Sequence, residues 1–377
     1  MPTITFGRHS LAWLAVSVLG ACAPNRTTAG VSAGASEPIQ RPVAGLVEKV
    51  PGGWLAVEVC ADDIIRVSYA ASPSFFGRTT LASAPKRCPH TDYKLSAGAH
   101  DKTITTSKLT VRADLSTGAV TFFDVAGHPI LAERAHSLTP VTAQGESTYH
   151  VRQEWEPNEG EALYGLGQHQ QGLMDITGVD LDLRQYNSEI FIPYLVSSRG
   201  YGIFWDNTSF TRFGDLEAAI PLPDAKGLYA TGSDAIPGDV TNDGSQVDWS
   251  GSLLPKTSGD YLFRTYSIGD IKLWVKDQPV IDHFRQSWLA GEEIARVYLD
   301  AGQSVPVHFK WAVDGRKPIV RLLVKPPVAK RSTSLWSEVG DGIDYTFVYG
   351  PDLDRVVSGY RQLTGQAPMM PRWAFGL

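Results

Sequence analysis

Residues 108–123 read KLTVRADLSTGAVTFF. Apolar and polar residues alternate in Lys108–Arg112 and again in Ala119–Phe123, and both runs are rich in β-branched or aromatic side chains, as half-buried strands are. Between them lies Asp114–Gly118, a cluster of turn-forming residues. The stretch therefore predicts a β-hairpin, and its antiparallel pairing indicates the fold class.

The same period-2 pattern recurs on both sides of this hairpin. It is found in Trp54–Val59, Ile64–Tyr69 and Tyr149–Arg152. The 36 Gly and 24 Pro among 377 residues also favour many tight turns between short elements. Together these features predict a mostly-β fold, an antiparallel β-sandwich formed by residues 42–227 and 328–350.

A second series of strands separates the two parts of this sandwich. Its members are Trp249–Gly251, Gly259–Arg264, Gly269–Val275, Val280–Asp282, Ile294–Leu299 and Val305–Trp311. The series has its own apolar residues and is bounded on both sides by stretches rich in Gly, Pro, Asp and Ser. We therefore expect residues 228–327 to form an inserted domain, a β-barrel or β-sandwich that folds on its own.

A helix is predicted after the second part of the sandwich. Apolar residues recur at helical spacing from Pro351 to Leu363, and Gly365 follows as a stop signal. This is the one clear helix that the pattern predicts.

The N-terminus has the features of an export signal. Arg8 precedes the apolar run Leu11–Leu19, whose nine residues are too few for a membrane span of ~20. The run ends in Leu-Gly-Ala-Cys22, which resembles the bacterial lipobox, so residues 1–22 are predicted to be a lipoprotein-type signal peptide with lipidation at Cys22. Two alternatives are cleavage at an A-x-A site, giving a soluble periplasmic protein, and an uncleaved signal anchor. Residues 23–41 are predicted to be a flexible tether.

The other two cysteines suit an exported protein. Cys60 and Cys88 are predicted to form a disulfide in an oxidising compartment, or alternatively to be two separate buried thiols. The predicted location is the outer membrane, as a lipoprotein, or the periplasm. The lipid anchor would be the only contact with a membrane.

Several function classes are excluded by composition and spacing. The net charge of -6 and the absence of a basic run argue against a nucleic-acid partner. The nine His show no metal-ligand spacing, and Gly165-Leu166-Gly167 is not followed by a third glycine at the spacing of a dinucleotide loop. No metal and no cofactor are therefore expected.

Two pairs of carboxylates, Glu154 with Glu156 and Asp180 with Asp182, are candidates for the catalytic pair of a glycosidase. At spacing i,i+2 each pair would lie on one strand face, ~7 Å apart. Neighbours on one strand cannot flank a glycosidic bond from two sides. We therefore expect solvated carboxylates at a sheet edge and assign no catalytic residue.

A family resemblance emerges from longer motifs. LYGLGQHQ at 163–170 and IPYLVSSRGYGIFWDN at 192–207 resemble the N-terminal β-sandwich of glycoside hydrolase family 31, especially bacterial α-xylosidases that act on xyloglucan oligosaccharides. DGIDYTFVYG at 341–350 and PMMPRWAFGL at 368–377 resemble the approach to that family's (β/α)8 barrel. The insert resembles the protective-antigen-type β-barrel module through SGDYLF at 258–263 and KLWV at 272–275.

The resemblance implies a retaining α-glycosidase whose two catalytic aspartates lie on barrel strands downstream of the last motif. Residues 351–377 correspond to a helix leading to the first barrel strand. The chain is therefore expected to lack both catalytic carboxylates and to be inactive alone, so whether it acts as an enzyme is left open.

The resemblance also implies sugar contacts. Gln170, Gln185, Tyr186 and Asn187 match a sandwich loop that closes over the barrel mouth, and their amides and phenol suit sugar hydroxyls. Alternatively they are ordinary polar loop residues. Trp249 and Trp274 are predicted to stack on sugar rings, or alternatively to be core residues of the insert.

The predicted function is the N-terminal portion of an exported α-glycosidase, an α-xylosidase acting on xyloglucan oligosaccharides. The alternative is a non-catalytic, carbohydrate-binding surface lipoprotein. In both cases the predicted partner is a xyloglucan-type oligosaccharide.

Overall fold

The computed structural model of the protein describes residues 44–83, 88, 91–169, 171–185, 189–214, 220–221, 246–285, 291–313, 320–327, 333–367 and 369–375. The predicted signal peptide, Cys22, the tether and the predicted sugar contacts Gln170, Tyr186 and Asn187 lie outside the described residues. Within the described part of the chain, no helix has both the length and the apolar character needed to cross a membrane.

The sandwich is built from strands that precede and follow the insert. Those before it are β1 (Gly45–Val50), β2 (Gly53–Ala61), β3 (Ile64–Ala70), β4 (Lys94–Ala97), β5 (Asp101–Thr105), β6 (Thr110–Asp114), β7 (Val120–Phe123), β8 (Pro129–Ala143), β9 (Glu146–Trp155), β10 (Leu163–Gln168), β11 (Leu181–Leu183), β12 (Ile190–Ser197), β13 (Tyr201–Trp205) and β14 (Thr211–Gly214). The insert contributes β15 (Ile220–Pro221), β16 (Gln246–Leu253), β17 (Gly259–Ser267), β18 (Gly269–Val275), β19 (Gln278–Arg285), β20 (Gly291–Leu299), β21 (Val305–Ala312) and β22 (Val320–Lys325). The chain returns to the sandwich as β23 (Thr333–Gly340) and β24 (Gly342–Tyr349), and the helix α1 (Leu353–Thr364) follows.

Two antiparallel sheets face each other in the sandwich. One has the order β1-β2-β3-β24-β13-β12-β10 and the other β11-β14-β23-β9-β8-β7-β6-β5-β4. Side chains from both sheets share an apolar core, in which the rings of Phe122 and Phe347 stack with centroids 4.0 Å apart. The predicted antiparallel β-sandwich is confirmed. The two strands that follow the insert, β23 and β24, lie in the interior of their sheets and not at an edge.

The hairpin predicted from residues 108–123 is present as β6 and β7, with Val111 opposite Phe122. In its turn, an Oδ atom of Asp114 accepts a hydrogen bond from the Ser116 amide at 2.8 Å. The first strand begins at Thr110 and not at Lys108, because the Thr106 hydroxyl oxygen accepts from the Lys108 amide at 3.2 Å and holds a preceding turn.

The seven-stranded sheet is covered on both faces, whereas alternation predicts one solvated face. All of β3 is buried, including Arg66, which is 2% exposed. Its Nε donates to Asp344 at 2.8 Å and its terminal NH1 donates to Glu58 at 3.1 Å. The second layer consists of α1, which packs through Val356, and a 3-10 turn that packs through Phe76. Charged side chains on this face are therefore buried, and they are neutralised by one another.

The helix α1 begins at Leu353 and not at the predicted Pro351, because the Asp352 side chain caps it by accepting from the Arg355 amide at 2.8 Å. It ends at the predicted Gly365. Arg355 also donates to the buried Asp63 at 2.8 Å, which fixes the helix to the sandwich. Beyond the helix, Arg372–Phe375 form a 3-10 turn, in which the Ala374 amide donates to the Pro371 carbonyl at 2.9 Å.

The insert consists of two four-stranded antiparallel sheets, β15-β22-β17-β20 and β16-β21-β18-β19. They enclose a second apolar core around Phe263, Phe309 and Trp311. Of the two predicted architectures the described strands form a sandwich and no closed barrel. The chain leaves the large sandwich after β14 and returns at β23, and Gly214 pairs with Ser334 across those strands. The two crossings therefore lie side by side.

Candidate functional site

The loop region predicted to contact sugar begins at a bulge in β10. The pairing of β10 with β12 shifts register between Gly165 and Gly167, and the buried Leu166 between them has a φ of 60°. Gly167 has a φ of 111°, and a Cβ there would overlap the Ile190 carbonyl oxygen. Only glycine permits this close approach of two strands. The bulge ends the pairing near the polar residues that follow β10.

Gln185 lies beside this bulge. Its side-chain oxygen accepts from the Phe191 amide at 2.7 Å, and Phe191 is the strand partner of Gly167. The side chain is exposed, and since its oxygen is engaged, its NH2 group is what it chiefly offers to a ligand. Close by, the His169 ring bonds to the Leu166 carbonyl at 3.1 Å, and burial lowers the pKa of His169. A neutral imidazole and an amide thus lie where β10 ends.

Trp274 is on the outer face of the insert. Its ring stacks on His308, with centroids 4.9 Å apart and planes 20° apart. Asp248 holds His308 through an Nε2 to Oδ1 contact of 2.8 Å and also contacts Lys310 at 3.1 Å. The hydrogen bond from His308 lowers the pKa of Asp248. A half-buried aromatic ring in a network of paired charges is a geometry that suits a sugar ring.

Trp249 lies on the other face of its sheet, packed against the core of the insert. Its ring covers Gly251, where a Cβ would overlap it. This position favours the packing role that the sequence left open for Trp249. Trp274 lies on a strand of the insert and Gln185 in a loop of the large sandwich, so the structure places these two predicted contacts in different domains.

The four carboxylates considered as glycosidase candidates each have a basic partner. Asp180 contacts Lys325 at 2.7 Å, Asp182 contacts Arg212 at 3.0 Å, and Glu154 contacts Arg152 at 3.1 Å. Asp180 differs from expectation, because the insert covers it and its side chain is 16% exposed. Ion-paired carboxylates two residues apart in the sequence do not form the facing pair that glycoside hydrolysis requires.

Cys60 and Cys88 are joined by a disulfide. Glu58 lies next to them, and the three side chains are the one group of potential metal ligands that the described residues bring together. Both sulfur atoms are engaged in the disulfide, and Glu58 accepts from Arg66. This cluster is therefore structural.

Glu133 is an unexpected titratable group in the core of the large sandwich. It is 7% exposed, and burial raises its pKa to about 7. The Tyr345 hydroxyl donates to it at 2.6 Å and the Val120 amide at 2.8 Å, and both bonds oppose that rise. The alternating pattern of β8 does not predict this burial, because a charged residue in an alternating strand is normally assigned to the solvent-facing side.

Residues 55–213 match the glycosyl hydrolase 31 N-terminal galactose mutarotase-like domain, and residues 213–334 match the PA14 domain. An α-xylosidase of Saccharolobus solfataricus is 25% identical over 329 residues, which are 85% of this chain and 29% of that protein.

Solved structures give the same result. A family 31 α-xylosidase from Xanthomonas citri is 31% identical, with a TM-score of 0.71 over 90% of this chain and 41% of that one. A family 31 α-xylosidase from a soil metagenome, solved with xylose, shares the fold at 18% identity and a TM-score of 0.52, over 89% of this chain and 36% of that one. The chain thus spans 29 to 41% of the length of these relatives. The resemblance predicted for the sandwich is confirmed.

Proposed function

We propose that this chain, which contains the N-terminal β-sandwich of glycoside hydrolase family 31 with a PA14 domain inserted in it, is the substrate-shaping portion of an exported α-xylosidase. The substrate would be a xyloglucan-type oligosaccharide. The observation that carries the proposal is the 31% identity over 90% of the chain with an α-xylosidase.

The polar groups at the end of β10 support this role. The Gln185 amide and the His169 imidazole are uncharged and lie next to a bulge that fixes the backbone. Sugars are neutral and present paired donors and acceptors, so uncharged amides recognise them without the desolvation penalty of a charge. In this proposal the sandwich positions an oligosaccharide, and the bond cleavage depends on carboxylates outside the described residues.

The test of this division of roles is an activity assay on the 377-residue chain with p-nitrophenyl α-xyloside. We expect no turnover, because the candidate carboxylates are held in ion pairs and do not face one another across a cleft. Turnover that persists through purification and disappears in Asp182→Asn, but not in Glu156→Gln, would show that the sandwich itself is catalytic. Binding of a xyloglucan oligosaccharide by the inactive chain would support the positioning role.

Export as an outer-membrane lipoprotein is part of the proposal. It is supported by the lipobox-like sequence that ends at Cys22 and by the disulfide, since disulfides persist in oxidising compartments. Metabolic labelling with a fatty-acid analogue should mark the wild type and fail on Cys22→Ser. Equal labelling of both, or of neither, would favour a soluble periplasmic protein.

A second candidate function is non-catalytic carbohydrate binding by the insert. The observation in its favour is Trp274, whose ring is presented on the outer face beside His308. Trp274→Ala should then abolish oligosaccharide binding by the whole chain. If Trp274→Ala still binds the oligosaccharide, this second candidate function is contradicted and the α-xylosidase proposal remains.

A further inference from the structure

The insert contacts the large sandwich along a seam of polar and apolar residues. Arg296 of β20 donates to Asp175 at 2.8 Å and to the Thr177 carbonyl at 2.7 Å, both on the sandwich. Leu262 and Ile294 of the insert pack in the apolar core of the sandwich. Shared core residues and ion pairs thus join the two domains along this seam.

A cleft of about 480 Å³ opens along this seam. Its sandwich side is formed by residues 171–173, directly after the β10 loop region, and its insert side by residues 280–283 of β19 and 293–296 of β20. This volume lies within the range of ~300–1,000 Å³ usual for small-molecule sites.

Two polar atoms in the residues that line the cleft are buried without a hydrogen-bond partner. They are the side-chain oxygen of Gln171, an acceptor, and Nε of Arg296, a donor. An unpaired buried group of this kind costs ~1–3 kcal/mol, so a partner that supplies both a donor and an acceptor would bind favourably. A hydroxyl group supplies both at one oxygen atom.

The charges in the lining are already matched. Arg296 pairs with Asp175, His283 with Glu293, and Asp282 contacts Lys272 at 3.3 Å. Among the described lining residues, an ionic ligand would therefore find no unpaired charge of opposite sign. A neutral polyhydroxyl ligand does not require such a charge. Leu173 and Ile281 add apolar surface of the kind that covers the C–H faces of a sugar ring.

We propose that this seam cleft binds a neutral saccharide unit, a branch or terminal residue of the oligosaccharide, whose hydroxyl groups pair with the side-chain oxygen of Gln171 and with Nε of Arg296. The inference rests on the proposed function, because it takes the substrate class from there. It adds a binding site that neither domain has by itself and gives the insert a direct role in recognition.

The test is a titration of the whole chain with xyloglucan heptasaccharide, followed by NMR at the Gly172 and Ala295 amides and by calorimetry. Gln171→Leu removes the unpaired oxygen, and Gln278→Leu is a matched control on β19 outside the lining. We expect a Kd of roughly 0.1–1 mM for the wild type and the control, and an affinity about 5-fold weaker for Gln171→Leu.

The outcomes separate this inference from the proposed function. If Gln171→Leu binds the saccharide with the affinity of the wild type, the proposed cleft site is wrong, whereas the proposed function is unaffected. No shift at either amide at about 10 mM sugar would also overturn the cleft, while the α-xylosidase proposal is decided by its own activity assay. Thermal unfolding adds a control: removing an unpaired oxygen should not lower the Tm, and a clear drop for Gln171→Leu would show that the amide has a structural partner.

Discussion

The buried Glu133 should make the stability of the sandwich depend on pH. Burial raises the pKa of this carboxyl from 4.5 to about 7 in the folded chain. Below pH 4.5 the group is protonated in both the folded and the unfolded chain. Between pH 4.5 and 7 the unfolded chain ionises it and the folded chain does not, so the free energy of unfolding falls as pH rises. At about 1.4 kcal/mol for each pH unit, the loss is on the order of 3 kcal/mol.

The assay is urea unfolding followed by tryptophan fluorescence at several pH values from 4 to 8.5. Trp155 is a suitable reporter, because its ring lies 5.4 Å from that of Tyr345, the hydrogen-bond donor to Glu133. Glu133→Gln should lose this part of the pH dependence, although it also has a constant cost because one buried acceptor becomes a donor. Glu156→Gln, at a side chain that is 52% exposed, is the matched control. Identical pH profiles for the wild type and Glu133→Gln would refute the reasoning.

Three further substitutions test the packing. Arg66→Met should lower the free energy of unfolding by ~3–5 kcal/mol, because it removes the buried guanidinium that pairs with both Glu58 and Asp344. Arg212→Met at an exposed pair should cost less than ~1 kcal/mol, and equal costs in urea unfolding would contradict this. Gly167→Ala should lower the free energy of unfolding by ~3 kcal/mol, because the added Cβ would overlap a backbone carbonyl oxygen. Gly160→Ala should cost only ~1 kcal/mol, because at φ 68° the added Cβ meets open space. A small cost at both positions would contradict the bulge geometry. Cys88→Ser opens a link across 28 residues and should cost ~3.5 kcal/mol, and thermal unfolding of this variant should be insensitive to dithiothreitol, unlike that of the wild type.

Local patterns predicted the strands well because a strand with one apolar face repeats every two residues. The hairpin at 108–123, the strand series of the insert and the helix before Gly365 were all evident from such patterns. The second layer on the seven-stranded sheet was not, because it is formed by segments distant in sequence. Arg66 and Asp180 thus resemble solvent-facing residues in the sequence, whereas the structure buries Arg66 and partly covers Asp180.

For the candidate site, the alternation along two strands of the insert separates the two tryptophans. Trp249 lies on the same face of its strand as Val247 and Leu253, which are buried. Trp274 lies on the same face of its strand as Lys272, which is half-buried. That alternation would have assigned the two rings to opposite faces. The seam cleft could not be predicted from strand alternation, because Gln171 and Arg296 line it from two different domains.

The position of β24 has a consequence for how the chain is made. A ribosome releases β3 and β13 long before β24, the strand that later separates them, and the whole insert is synthesised in between. Until residues 342–349 emerge, both strands expose unpaired backbone edges, which promote aggregation. The insert, whose own strands are complete by Lys325, can fold first. The large sandwich closes last, and chaperones would have to protect it during that interval.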